Sequence, residues 1–114
     1  MNHTKRKFML AAIAGTLVLP AFGASPTFPS KTVTILVASA PGGPLDDAAR
    51  RLGQHLAAMW NVSVVVDHRP GAGGTIAAAA LTRAPADGHT LLISTRAIVV
   101  NPALDEKLPF DSAR

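Results

Sequence analysis

The sequence predicts an α/β fold, a β-α-β-α-β unit with its strands in one parallel sheet. Three observations carry this. Two apolar, β-branched runs, residues 32–38 (TVTILVA) and 62–66 (VSVVV), each lead into a glycine-rich turn. Each turn opens into a segment with helical spacing, and a third apolar run, residues 90–94 (TLLIS), follows the second of these. Strands that alternate with helices favour right-handed crossovers into a parallel sheet. Both glycine turns then lie at the carboxyl edge of the sheet, where α/β folds bind ligands.

The chain of 114 residues is long enough for one small domain. Its first 23 residues read as a secretory signal peptide. Lys5, Arg6 and Lys7 precede a twelve-residue apolar run, residues 8–19, and Ala21 and Gly23 supply small residues for cleavage. The run is too short to span a bilayer comfortably. The chain has no cysteine, which excludes lipid attachment at a lipobox, so a soluble exported product is expected. Three of the 11 Lys and Arg lie in the leader, leaving eight beyond it against seven Asp and Glu. The basic character therefore belongs mostly to the leader and gives no reason to expect nucleic acid as a partner.

Residues 25–30 (SPTFPS) form an extended lead-in, and residues 32–38 suit a strand covered on both faces. From Leu45 the period changes: Leu45, Ala48, Ala49, Leu52, Leu56 and Met59 fall on one helical face. Asp46, Asp47, Arg50, Arg51, Gln54 and His55 are assigned to the other, solvent face. Asp46–Arg50 and Asp47–Arg51 are acid-first i,i+4 pairs, and both acids suit the positive end of the helix dipole. Residues 62–66 form the second strand, residues 67–74 the second glycine loop and residues 75–83 an alanine-rich helix. The breaker cluster at residues 84–88 (APADG) stops it. After the third strand, residues 95–114 read as irregular or briefly helical.

Several chemistries lack their residues. The G-x-G-x-x-G pattern starting at Gly71 fails at Ile76, and no Gly-Lys dipeptide offers a Walker phosphate loop. No G-x-S-x-G elbow is present. His55, on the solvent face, and His68 and His89, at a loop and a turn, are best read as surface or capping histidines without zinc spacing. No enzyme activity and no cofactor are expected. The glycine loops remain: without Cβ atoms their amides can face a small anion, aided by the helix that starts after each. Tight strand-to-helix connections explain the same glycines equally well.

Four motifs in order carry a resemblance. A-P-G-G-x-x-D (residues 40–46), R-P-G-A-G-G (69–74), A-D-G-H-T-L-L (86–92) and N-P-A-L…L-P-F-D (101–111) resemble the Bug family. These are periplasmic substrate-binding receptors of tripartite tricarboxylate transporters. The resemblance implies part of a type II periplasmic-binding-protein domain. Residues 24–114 would be the N-terminal part of the first domain, truncated, with the second domain missing. It implies a receptor for small organic carboxylates, delivering ligand to the membrane components of the transporter from the periplasm, free of the membrane once the leader is cleaved.

By that resemblance Pro41, Gly42 and Gly43 belong to the loop that holds a ligand carboxylate. Asp46 matches an acidic position that stabilises the helix start, orients the loop or meets a polar ligand group. Gly71, Ala72, Gly73 and Gly74 match a second loop that shapes the cleft wall, and Ser94 and Thr95 offer hydroxyl contacts. Leu45 and His68 depart from the family's small hydroxyl residue and Asn. Two rivals stand beside this expectation. One is a small α/β module that binds phosphate or nucleotide through its glycine loops; the other is a truncated product without function.

Overall fold

The computed structural model describes Gly23, residues 25–104 and Phe110. The leader apart from Gly23, and most of the chain after residue 104, lie outside the described residues. The elements are β1 (Val33–Val37), α1 (Pro44–Trp60), β2 (Val64–His68), α2 (Thr75–Arg83), β3 (Thr90–Ile93) and α3 (Ala97–Leu104), with a 3-10 turn, Ala72–Gly74, before α2. The strands form one parallel sheet in the order β2-β1-β3. The expected β-α-β-α-β unit is therefore present, and the segment read as irregular or briefly helical carries α3.

β1 is central: an apolar run covered on both faces and paired on both edges. Val33, Ile35 and Val37 are fully buried, and Leu36 is buried on the opposite face. Ile35 and Val37 form a core with Ala49 of α1, joined by Leu45, Val64, Val66, Leu91 and Ile93. α2 begins over the other face, where the Cα of Gly74 lies so close that an added Cβ would meet Ala38 at 3.4 Å. Successive helices thus cover opposite faces of the sheet.

α1 is turned relative to the expected helical face. Its buried residues are Asp46, Ala49 and Gly53, whereas Leu52 is 41% exposed and Met59 is 73% exposed. Two causes combine. A Cβ on Gly53 would lie 3.4 Å from Val64 and 3.7 Å from Ile35, so the helix approaches the sheet along its small residues. Asp46, assigned to solvent by its charge, is instead drawn in by three hydrogen-bond donors. Pro44 at the first helical position and left-handed Asn61 at the C-cap (φ 53°) bound the helix.

β2 starts two residues later than expected and runs on to His68. Asp67 and His68 read as loop from their polarity, yet their Cα partners are Leu36 and Val37 of β1. Backbone pairing with the central strand sets the length here, not side-chain character.

His89, read as a surface or capping histidine, is buried instead. Its Nε2 accepts the Ser30 amide at 3.1 Å, so the proton sits on Nδ1 and is donated to the Asp87 carbonyl at 3.0 Å. This ring fastens the lead-in segment to the start of β3. Phe28 packs edge-on against both His89 and Trp60. His55 is exposed, as expected.

Candidate functional site

In the order β2-β1-β3 the chain first steps to one side of β1 and then to the other. The crevice between the carboxyl ends of β1 and β3 is thus the topological switch point. Two loops and one strand end converge near it. The first loop leaves β1 and enters α1 through Pro41, Gly42 and Gly43. The second leaves β2 at His68 and enters α2 through Gly71, Ala72, Gly73 and Gly74. Ser94 and Thr95 follow β3.

The first loop is shaped by one carboxylate. Asp46 Oδ2 accepts the Gly42 amide at 2.8 Å, while Oδ1 accepts Arg50 Nε at 2.8 Å and faces His68 Nε2 at 2.9 Å. Asp46 is only 5% exposed. The Gly42 amide, with help from His68 and Arg50, holds its carboxyl below the usual carboxylate range despite the opposing effect of burial. An ionised carboxylate only accepts, so His68 must present Nε2–H to it. His68, at a side-chain exposure of 14%, is therefore part of the site and not a surface histidine.

This geometry divides the work among the loop amides. Gly42, in the left-handed region at φ 90°, spends its N–H on Asp46. Gly43 is extended (φ −95°, ψ 176°) and caps α1, its carbonyl accepting the Asp47 amide at 3.1 Å. Among the described residues no acceptor faces the amides of Gly43, Leu45 and Asp46. They are oriented donors at the positive end of a seventeen-residue helix. A cavity of about 300 Å³ lies against Gly42, Gly43, Pro44, Asp46 and Asp47. Asp47 is paired with Arg51 at 3.3 Å, so both acids of the first turn have cationic partners.

The second loop is a run of positive φ: Gly71 at 120°, Ala72 at 47°, Gly73 at 62° and Gly74 at 97°. Two of these glycines are also closely approached by side chains. A Cβ on Gly71 would come within 2.7 Å of Ile76 Cδ1, and one on Gly74 within 2.7 Å of Ser94 Oγ. Gly74 is buried while Gly71, Ala72 and Gly73 are exposed, and α3 packs against this turn. None of the four lines the cavity at the first loop. The structure therefore brings Gly74, Ser94 and Ala38 together in one group, and Pro41, Gly42, Gly43 and Asp46 in another beside it.

Ser94 and Thr95 differ in their surroundings. Ser94 Oγ is buried and unpartnered among the described residues, as is Ser39 Oγ just after β1. A buried hydroxyl left so costs about 1–3 kcal/mol, and the two flank the switch point. Thr95 Oγ1 instead accepts the Ala97 amide at 3.4 Å and helps to start α3. Sequence reasoning missed Ser39 and Arg50 as site residues and placed His68 at the surface. The signal available for Ser39 was its position immediately after a buried strand.

Comparison with known proteins agrees with the fold and the motifs. Residues 48–114 match the model of the tripartite tricarboxylate transporter family receptor. A UPF0065 protein of Bordetella bronchiseptica is 39% identical over 110 residues, covering 96% of this chain and 32% of that protein. Among solved structures, an R. palustris protein with adipate superposes with a TM-score of 0.70 at 34% identity, over 75% of this chain and 29% of that one. MatC from Rhodopseudomonas palustris with bound malate gives 0.61 at 35% identity, over 73% and 29%. The chain spans about a third of the length of the relatives it matches.

Proposed function

The chain belongs to the tripartite tricarboxylate transporter receptor family, and from that premise we propose that it contributes the carboxylate-binding wall of a periplasmic solute receptor. The observation that carries the reading is the first loop. Asp46 takes the Gly42 amide, and the Gly43, Leu45 and Asp46 amides stand without an acceptor among the described residues at a helix N-terminus. Such donors suit a carboxylate, and no free cation is needed to hold it. Relatives solved with adipate and malate support small dicarboxylates as the ligand class. Ser94 and Ser39 supply hydroxyls at the switch point, and Gly71, Ala72, Gly73 and Gly74 shape the neighbouring wall. Thr95 is the weakest ligand contact of the set, since its hydroxyl serves α3. In this reading the receptor is not an enzyme, uses no cofactor and hands its ligand to the membrane components of a transporter.

Ligand profiling tests the proposal. Saturation-transfer NMR on the 114-residue chain, run with adipate, malate, benzoate and phenyl phosphate, is expected to detect the carboxylates. A preference for phenyl phosphate would instead support the rival anion module.

A further inference from the structure

His68 is the last residue of β2, and the second glycine loop begins at the next residue. The Arg69 amide still donates to the Val37 carbonyl at 2.8 Å, so the backbone on either side of His68 is fixed to β1. From this anchored position the ring reaches across to α1 and meets Asp46 Oδ1 at 2.9 Å. The other oxygen of the same carboxylate holds the Gly42 amide. A single carboxylate thereby links the end of β2 to the turn of the first loop.

The charged groups around the ring are few and have distinct partners. From α1, Asp46 meets it through Oδ1, the same oxygen that accepts Arg50 Nε. On its own strand, Asp67 pairs with Arg69 at 3.0 Å, away from the cluster. β1 presents only Val37 at this register. Arg50 cannot replace His68 as a tether, because it sits one turn along the helix that carries Asp46 and its side chain is 56% exposed. Its ion pair steadies the carboxylate within α1. Among the described residues, only His68 ties that carboxylate to the sheet.

We propose that His68 is a positioning residue: through Asp46 it sets the Gly42 amide and so couples the first glycine loop to the root of the second. Any shift of the β2 end is passed to the first loop, and loss of the ring frees the Asp46 carboxylate to swing with the helix surface. The consequence for ligand affinity rests on the receptor reading above. The tether does not, and its test uses no ligand.

Amide hydrogen exchange by NMR on the 114-residue chain reads the tether directly at Gly42, with Ile35 of β1 as the internal reference for global opening. His68→Leu is expected to speed exchange at Gly42 about fivefold or more relative to Ile35. His68→Gln, which keeps an N–H donor at a similar reach, is expected to restore most of the protection. Arg50→Gln is expected to change Gly42 less than His68→Leu does. Parallel changes at Gly42 and Ile35 would assign His68 a merely structural part and overturn the proposal. So would an unchanged Gly42 in folded His68→Leu, or a larger effect from Arg50→Gln.

Discussion

Gly42 and Gly43 are neighbours with opposite requirements. Gly42 has φ 90°, a conformation that costs other residues about 1–2 kcal/mol, while Gly43 is extended and a Cβ there would meet open space. The backbone strain in the first loop therefore falls on Gly42. Gly42→Ala is expected to lower stability by about 1–2 kcal/mol and Gly43→Ala by under about 0.5 kcal/mol, measured by urea unfolding. A branched side chain at Gly43 acts differently, by occupying the space in front of the free amides. Gly74→Ala should cost at least as much as Gly42→Ala, since it adds a 2.7 Å approach to Ser94 Oγ to a φ of 97°. Equal stability of the three variants would contradict this ordering.

The rotation of α1 has its own test. Ala49 is fully buried against Ile35 and Val37, whereas Met59 is exposed. Ala49→Leu should overpack this contact and cost about 1–3 kcal/mol, while Met59→Lys should fall within about 0.5 kcal/mol of the parent. The reverse order in thermal melts would restore the leucine face. That face was the natural reading of the sequence, because periodicity weighs hydrophobic residues and takes an aspartate for solvent-facing. What it could not weigh was Asp46's three donors, which come from a loop, the same helix and a strand 22 residues away. The element types, their order and the bounds of α2 were legible, since apolar runs and breaker clusters are local signals. The reach of β2 to His68 was not, because strand pairing is decided by β1.

Asp87 holds the start of β3 in a comparable way. It pairs with Lys31 at 2.6 Å and accepts the His89 amide at 3.0 Å. These partners, Lys31 first, lower its pKa from 3.8 to about 2. A depressed folded-state value means that the unfolded chain takes up protons more readily, so the stabilisation is present above pH ~4. It is lost as pH falls toward 2. Asp46, also shifted downward, adds to the same slope. Melting temperatures between pH 5 and 2 should fall less steeply for Asp87→Asn than for the parent. Identical slopes would show that the Lys31 pair is not formed in solution.

Within the described residues, the sheet ends at β2 on one side and β3 on the other, and the cavity at the first loop is bounded by that loop and the start of α1 alone. Small-ligand sites generally bury most of the ligand. A single wall with three or four hydrogen bonds of about 0.5–1.5 kcal/mol each, set against the cost of association, leaves an affinity of roughly millimolar or weaker. The two glycine loops were legible in the sequence because their glycines and acid stand in unbroken order. The contributions of Ser39, Arg50 and His68 were not, since they depend on which strand ends the sheet brings together. In the proposed receptor, backbone amides set by Asp46 hold the ligand carboxylate. Titrating the 114-residue chain with adipate, and following the Gly43, Leu45 and Asp46 amides by NMR, measures it most directly. Shifts at these amides that grow with adipate, with a Kd of roughly a millimolar or weaker, are predicted, weakened about tenfold or more by Asp46→Ala; shifts elsewhere, or equal affinity in folded Asp46→Ala, would contradict it.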